Sequence, residues 1–353
     1  MLPSMNKTDQ MALWADASAD DVAAPPKALS KTLKPRRKTV PGAASAQNAP
    51  VTAGLDAEAA AALLAQHPDY RVLRRLVPRL DWGPVASSSL ARVIVLDTET
   101  TGLDARQERI IELAMLCVQV DRVSGQPVGP VTVYESFEDP GKPIAPAIQE
   151  ITGIDDTMVQ GQRIDDEQVR VLVEQADLVL AHNAGFDRPF VEARLPVFAT
   201  RPWNCSLAGI DWKREGSGSA KLEFLAAERG WFYDAHRAQV DCHALLQVLA
   251  CPLADGRTGL QQLLDGASRT RFKLRATGAP FDAKDSLKAR GYRWDNEARV
   301  WWTSLPSQEA MEAECDWLKT AVYGGRNARV QLEAQDSEVQ FSSRAGVLSE
   351  RVL

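Results

Sequence analysis

Long apolar runs are absent from this sequence of 353 residues, and none reaches the roughly 18 residues that a membrane span requires. No apolar segment follows the opening Met-Leu-Pro-Ser-Met-Asn-Lys, so no secretory signal is predicted. Cysteine is scarce and scattered. None of the five cysteines forms a CxxC pair, which argues against a disulfide framework and against a cysteine zinc site. We therefore predict a cytoplasmic protein with no membrane partner.

An excess of positive charge is also lacking, since the net charge is −6, and this argues at first against a nucleic-acid partner. The charge is unevenly spread, however. Residues 91–250 carry a net charge of −10, whereas residues 269–302 carry +5. An acidic body beside a small basic segment is compatible with a metal site in the body and with nucleic-acid backbone contact by the segment.

The first quarter of the chain divides into two parts. Residues 1–53 are rich in Ala, Pro, Ser and Lys and lack apolar periodicity, which predicts a disordered tail. Residues 54–90 are predicted to be a helical lead-in with a helix near 56–79, because Asp56 suits an N-cap and an Ala-rich stretch follows. His67-Pro68 is expected to kink or split this helix.

The body, residues 91–253, begins with three β-rich runs and continues with alternating helical and strand patterns. A three-stranded meander followed by helix–strand alternation is typical of a mixed α/β sheet. We predict the α/β fold class, with a ribonuclease-H-like mixed five-stranded sheet flanked by helices.

The C-terminal part follows a polar, glycine-containing linker at 254–268. Residues 269–323 predict a small basic, aromatic-rich α+β module. The tail, 324–353, is predicted to contain a hairpin, because residues 330–332 and 339–341 both alternate.

Two acids end the first strand of the body, as Asp97-Thr98-Glu99. Residues i and i+2 of a strand point to the same face, so both carboxylates are expected on one side. Neighbouring like charges are unfavourable without a cation, and hard oxygen ligands suit Mg²⁺ or Mn²⁺. The preceding run Val93–Leu96 is apolar, which indicates a buried central strand with the acids at its rim.

Two further segments carry acids in defined contexts. In His182-Asn183-Ala184-Gly185-Phe186-Asp187, a strand leads through a tight turn into a helix whose first turn holds Asp187. In His236-Arg237-Ala238-Gln239-Val240-Asp241, Asp241 is expected about one turn into a helix, with His236 on the loop before it. His243 lies on the helix itself.

These three motifs, in this order and in these contexts, resemble the DEDDh, or DnaQ-like, 3′–5′ exonuclease family. The first is Asp97-Thr98-Glu99-Thr100-Thr101-Gly102-Leu103, and the third has the H-x₄-D spacing of the histidine-bearing branch. The resemblance covers residues 92–250, and the five signature positions carry the family's residues. Those positions are Asp97, Glu99, Asp187, His236 and Asp241.

The resemblance implies a phosphodiester hydrolase with two Mg²⁺ (or Mn²⁺) ions. It implies that Asp97, Glu99 and Asp241 hold one ion, that Asp97 bridges to the second, and that Asp187 acts through coordinated water. His236 is implied as the general base, which suits a group whose ordinary pKa is about 6.5.

The resemblance also implies a seat for the 3′-terminal nucleotide at Thr100, Thr101, Gly102 and Leu103, with Asn183 and Phe186 along its path. In the basic C-terminal segment, aromatic residues alternate with arginines, a pattern that can stack bases and follow phosphates. Arg290, Arg293 and Trp294 are the predicted contacts. The alternative is that these aromatics form the core of a very small module.

Three functions remain open at this point. The first is an exonuclease acting on the 3′ end of single-stranded DNA, as a stand-alone enzyme or as a proofreading partner of a DNA polymerase subunit, similar to the epsilon chain of bacterial DNA polymerase III. The second is an RNA-trimming exoribonuclease. The third is a catalytically silent binding subunit, against which the intact acids and His236 argue.

Overall fold

The structure is a computed structural model that describes residues 56–85 and 88–353. The predicted disordered tail, 1–53, lies outside these residues. The described residues fall into two units, residues 56–74 and residues 75–353. No helix in the described ranges is long and apolar enough to cross a membrane.

The first unit contains helix α1 (Ala57–Ala65), which Asp56 caps by accepting a hydrogen bond from the backbone N–H of Glu58 at 3.2 Å. This helix is shorter than the lead-in helix predicted near 56–79. It ends just before His67-Pro68, where proline disfavours the helical conformation of the residue before it. The short strand β1 (Arg74–Arg75) follows, and no second helix lies between α1 and β1.

The central sheet of the second unit has the five strands β2 (Leu90–Thr100), β3 (Ile110–Asp121), β4 (Pro127–Phe137), β5 (Leu178–Ala181) and β6 (Trp203–Cys205). The strand order is β4-β3-β2-β5-β6. The pairs β4–β3 and β3–β2 are antiparallel, whereas β2–β5 and β5–β6 are parallel. The predicted ribonuclease-H-like mixed sheet is therefore confirmed.

Helices cover both faces of this sheet. They are α2 (Pro146–Thr152), α3 (Asp156–Val159), α4 (Asp166–Glu174), α5 (Ala184–Arg194), α6 (Ser206–Gly209), α7 (Leu222–Glu228), α8 (Ala238–Ala250) and α9 (Gly259–Gly266), with the short strand β7 (Trp231–Phe232) before α8. Alternate residues of β2 enter different apolar clusters, Val93 and Val95 on one side and Ile94 and Leu96 on the other. This double burial explains why the β2 sequence is apolar on both faces.

The C-terminal module, residues 271–353, contains a second, antiparallel sheet in the order β12-β11-β8-β10-β9. Its elements are β8 (Arg271–Ala276), α10 (Lys284–Ala289), β9 (Arg293–Asp295), β10 (Val300–Leu305), α11 (Gln308–Trp317), β11 (Arg329–Gln335) and β12 (Val347–Val352). One sheet face packs on the helices through a core that includes Leu274, Leu318 and Leu332. The residues predicted as a separate tail thus supply two strands of this module.

Two details of the C-terminal part differ from the sequence prediction. The segment predicted as a linker, 254–268, contains α9, which Thr258 caps and whose Leu260 and Leu263 are buried. The predicted hairpin exists between β11 and β12, but residues 339–341 are not its second strand. They lie instead in the segment between the two strands.

That intervening segment, residues 336–346, is docked on the body by Arg188 of α5. The Arg188 side chain is fully buried, and its guanidinium donates hydrogen bonds to the carbonyl oxygens of Ser337 at 3.3 Å, Gln340 at 2.7 Å and Glu338. The Gln340 amide in turn donates to the carbonyl oxygen of Trp203, in the edge strand β6, at 2.6 Å. The C-terminal module and the body are therefore joined through a buried cation.

Replacing Arg188 with methionine is expected to lower the free energy of unfolding by roughly 3–5 kcal/mol, as the loss of one partner from a buried ion pair does. The substitution removes the Arg188 Nε from the buried Glu192 carboxylate, 2.7 Å away, which then retains Arg344 at 3.2 Å. It also removes the side-chain donor that Arg188 supplies to three backbone carbonyls. Urea denaturation of the full chain measures the difference.

Arg170 offers a matched control, because it forms the same i,i+4 pair, with Glu174 at 2.7 Å, on the half-exposed surface of α4. Solvent screens such surface pairs, so Arg170→Met should change stability far less than Arg188→Met. Equal losses from the two variants would contradict a docking role for Arg188.

Candidate metal and active site

Three of the predicted acids converge where β2 ends. Asp97 and Glu99 of β2 and Asp241 of α8 each offer a carboxylate oxygen, and these oxygens all lie within 4.8 Å of one another. Asp97 and Glu99 share one side of the strand, as the period of two requires. Both are buried, so their mutual repulsion is poorly screened by water.

Asp187, the fourth predicted acid, is held against the same strand by Thr98. Its Oδ1 accepts hydrogen bonds from the Thr98 backbone N–H at 3.1 Å and from the Thr98 hydroxyl at 2.8 Å. Thr98 lies between Asp97 and Glu99 in the chain, so Asp187 borders the three-carboxylate group without belonging to it. This fits the prediction that Asp187 acts through coordinated water, which stays a prediction.

Asp241 is oriented by two donors on the loop before α8. The backbone N–H of His236 donates to Asp241 Oδ2 at 2.8 Å, and the Tyr233 hydroxyl donates to Oδ1 at 3.1 Å. His236 has a φ of 70°, a left-handed conformation that histidine adopts more readily than most residues. Burial, together with the nearby Asp241 carboxylate, raises the pKa of Tyr233, so its hydroxyl stays a donor.

An ion pair that the sequence analysis does not predict lies next to the acids. Glu112 of β3 is the register partner of Glu99 and is fully buried. Arg237 Nη2 lies 2.8 Å from Glu112 Oε1, and the Ala238 backbone N–H donates to Glu112 Oε2 at 2.9 Å. The hydrogen bond to Glu112 raises the pKa of Arg237. This pair fixes the start of α8, one turn before Asp241.

The predicted nucleotide seat is a turn organised by its own hydroxyl groups. The Thr100 hydroxyl donates to the carbonyl oxygen of Gly102 at 2.6 Å. The Thr101 hydroxyl donates to Glu108 Oε2 at 2.5 Å. A Cβ on Gly102 would come 2.9 Å from the Glu108 side chain, which would have to move away. Together with Leu103, these residues form an ordered seat, and their nucleotide contact stays a prediction.

Asn183 and Phe186 occupy different environments. Asn183 precedes α5 with a φ of 72°, a left-handed conformation that asparagine tolerates. Phe186 is buried in the apolar cluster, where its ring centroid lies 5.1 Å from that of Phe190. The structure therefore gives Phe186 a packing role, and its place along the nucleotide path stays a prediction.

The three C-terminal residues predicted to contact substrate are not on one surface. Arg290 Nε lies 2.8 Å from Glu314 Oε1, and its guanidinium stacks 4.3 Å from the Trp317 ring. Arg293 and Trp294 are neighbours in β9, so their side chains point to opposite faces of the sheet. Trp294 is 46% exposed. This arrangement does not support a contact of all three residues with one strand of nucleic acid.

The donor set fits a hard divalent cation. It consists of carboxylate oxygens, the ligand type of Mg²⁺ and Mn²⁺, and places three of them close enough to share one ion. Cysteine is absent from the group, and His236 reaches Asp241 through its backbone. The residues that would hold the metal are Asp97, Glu99 and Asp241, with Asp187 beside them.

Comparison with known proteins agrees with this geometry. Residues 94–249 match the model of the RNase_T family, described as exonuclease. The matched range includes the four acids and His236.

The matched curated relatives are far longer than the region they share with this chain. The DNA polymerase III PolC-type of Halalkalibacterium halodurans is 38% identical over 121 residues, which cover 30% of this chain and 8% of the relative. The protein of the same name from Caldanaerobacter subterraneus is 27% identical over 176 residues, which cover 47% of this chain and 12% of the relative. The chain thus spans about a tenth of their length.

Two solved structures are similar over about half of this chain. Exonuclease X in complex with 5′ overhanging duplex DNA is 24% identical, with a TM-score of 0.35, over 48% of this chain and 99% of that one. Exonuclease I is 18% identical, with a TM-score of 0.39, over 54% of this chain and 49% of that one.

Proposed function

We propose that this chain removes nucleotides from the 3′ end of single-stranded DNA, because residues 94–249 match the RNase_T exonuclease model and carry the motifs that resemble the DEDDh-type 3′–5′ exonucleases. The observation that carries the proposal is the convergence of the Asp97, Glu99 and Asp241 oxygens within 4.8 Å. Such a group is electrostatically unfavourable by itself and suits the binding of a divalent cation. A silent binding subunit would have no use for it.

Two divalent ions, when bound, would stabilise the negative charge on the attacking and leaving oxygens of a phosphodiester. Asp97, Glu99 and Asp241 would hold them, with Asp187 contributing from its position on Thr98. The Tyr233 hydroxyl and the His236 backbone N–H keep the Asp241 carboxylate turned towards the group. His236 would accept the proton of the attacking water, and the turn at residues 100–103 would seat the terminal nucleotide.

DNA is proposed as the substrate because the curated relatives of the matched segment are named as DNA polymerases. Association with a DNA polymerase, which the same names suggest, stays a prediction. RNA trimming is the competing activity, and it differs from the proposal in one measurable respect, the sugar of the preferred strand.

A linear 5′-labelled DNA oligomer is expected to shorten one nucleotide at a time in the presence of Mg²⁺, whereas a circular single strand of DNA should resist digestion. The reason is that a seat for a terminal nucleotide requires a free 3′ end. Denaturing gel electrophoresis of timed samples resolves the ladder and the intact circle.

The matched controls are the same reaction in EDTA and an RNA oligomer of identical sequence. Rapid nicking of the circle would show an endonuclease. Faster shortening of the RNA oligomer would assign the site to RNA. Unchanged cleavage in EDTA would contradict the metal dependence.

A further inference from the structure

A cavity of about 540 Å³ lies between the exonuclease domain and the C-terminal module. Asn204 and Ala208, at the end of β6 and in α6, line its domain side. Arg271 of β8 and Pro306, just after β10, line its module side. Neither the metal site nor the predicted nucleotide seat includes these residues.

Arginines dominate the polar chemistry of this cavity. Arg214, Arg269 and Arg271 all line it, and in the part of the chain that the structure describes none of the three forms an ion pair. Arg214 and Arg269 are exposed, whereas Arg271 is half-buried, with its guanidinium 5.4 Å from the Phe341 ring and 3.4 Å from the Ala208 carbonyl oxygen. Such cations favour an anionic ligand.

Each of the three acids in the cavity lining already has a partner within the protein. The Asp211 carboxylate accepts the backbone N–H of Arg214 at 3.1 Å. The Glu215 carboxylate accepts the backbone N–H of Ala254 at 2.6 Å. Asp255 pairs with a fourth arginine, Arg257, at 2.7 Å. The lining thus carries four arginines against three acids, a net charge of +1, and its arginines that form no ion pair with any described residue are Arg214, Arg269 and Arg271.

The cavity lies at the same end of the sheet as the metal site. Leu96, Ala181 and Cys205 are level with one another across the parallel strands β2, β5 and β6. Asp97 follows the first of these residues, and Ser206 follows the last. Adjacent strands are about 4.8 Å apart, so the end of β6, which borders the cavity, lies roughly 10 Å from the end of β2, which carries Asp97.

We propose that this cavity binds phosphates of the substrate strand on the 5′ side of the nucleotide being removed. The inference rests on the proposed nuclease function, because it needs a strand whose 3′ end reaches Asp97. The arginines would attract the strand locally, within a body whose residues 91–250 carry a net charge of −10.

The test is the salt dependence of binding, measured by fluorescence anisotropy with a 5′-labelled (dT)₂₀ in EDTA, where hydrolysis is prevented. Each phosphate contact on a single strand contributes about −0.7 to the slope of log K against log salt concentration. The double variant Arg214→Gln/Arg269→Gln should flatten the slope by about 1.4 and weaken binding roughly 25-fold at 0.1 M salt.

The control is Arg163→Gln/Arg326→Gln, which removes the same charge from exposed positions outside the cavity. An equal loss in this control would overturn the proposal, because net charge alone would then explain the effect. An unchanged slope in the cavity variant would also overturn it.

A competition arm separates a strand-binding cavity from a site for free nucleotides. Thymidine monophosphate at millimolar concentration should displace (dT)₂₀ equally from the wild type and from the cavity variant. Displacement that depends on Arg214 and Arg269 would reassign the cavity to mononucleotides and overturn the proposal. Because binding is measured in EDTA, an absence of nuclease activity with Mg²⁺ would contradict the proposed function without deciding this test.

Discussion

Cleavage of DNA is expected to be abolished when Asp97 is replaced with asparagine, while the fold remains intact. Asp97 supplies one of the three carboxylate oxygens that lie within 4.8 Å of one another. A bound ion acting as a Lewis acid is worth several kcal/mol, and about 4 kcal/mol corresponds to roughly a thousandfold in rate. Initial rates on a 5′-labelled oligomer with Mg²⁺ measure the loss.

Thermal denaturation gives a second readout of the same substitution. Removing one of three neighbouring like charges relieves repulsion, so the variant in EDTA should melt no lower than the wild type. Mg²⁺ should raise the melting temperature of the wild type, because a ligand of the folded state stabilises it, and should do so far less for the variant.

Glu150→Gln is the matched control, since it removes the same charge from an exposed position in α2. It should keep wild-type activity and the wild-type response to Mg²⁺. Activity of Asp97→Asn at the level of Glu150→Gln would contradict the metal assignment.

The sequence predicts Asp97 and Glu99 well because their geometry is local. The apolar run before them indicates a buried strand, and its period of two places both acids on one side. No local pattern indicates that Asp241, in a helix far along the chain, approaches them. At the level of sequence, only the resemblance of the third motif implies that convergence. The structure shows it directly.

Glu112 and Tyr233 are missed for two different reasons. Glu112 is a single acid inside the apolar strand β3, a signal that is visible in the sequence but that does not identify its partner. Its partner, Arg237, lies 125 residues away in the chain. Tyr233 stands in a short loop with no periodicity, and only its hydrogen bond to Asp241 reveals its role.

The prediction of a linker at 254–268 is wrong because Gly259 has a packing role in a helix. A Cβ on Gly259 would come 2.8 Å from Leu249 Cδ2, so glycine allows α9 to approach α8 closely. The prediction of a strand at 339–341 is wrong because of a long-range contact. Gln340 is buried and donates a hydrogen bond to the Trp203 carbonyl oxygen, a contact that the local alternation of residues does not predict.

The docking by Arg188 also changes how the C-terminal module can be tested. Truncation before residue 271 would remove the carbonyl partners of a fully buried arginine that is the chain neighbour of Asp187. A loss of activity in such a truncated chain would therefore report on the body as well as on substrate binding. Point substitutions in the cavity avoid this ambiguity.

His236→Ala is expected to lower kcat by about 10²–10⁴-fold, the usual contribution of a positioned general base. The substitution removes the ring and keeps the backbone N–H that donates to Asp241 Oδ2 at 2.8 Å. Asp241 should therefore stay in place, and KM should change little, because the ring is proposed to act on the attacking water. Steady-state kinetics on the labelled oligomer separate the two constants.

His243→Ala is the control that distinguishes the base from its neighbour. His243 lies two residues after Asp241 in α8, which turns its side chain about 200° away from that carboxylate. It is buried, and burial lowers its pKa, so it is held neutral in the core. Its removal should reduce stability and leave kcat per folded molecule nearly unchanged. A larger loss of kcat in His243→Ala than in His236→Ala would contradict the assignment of the base.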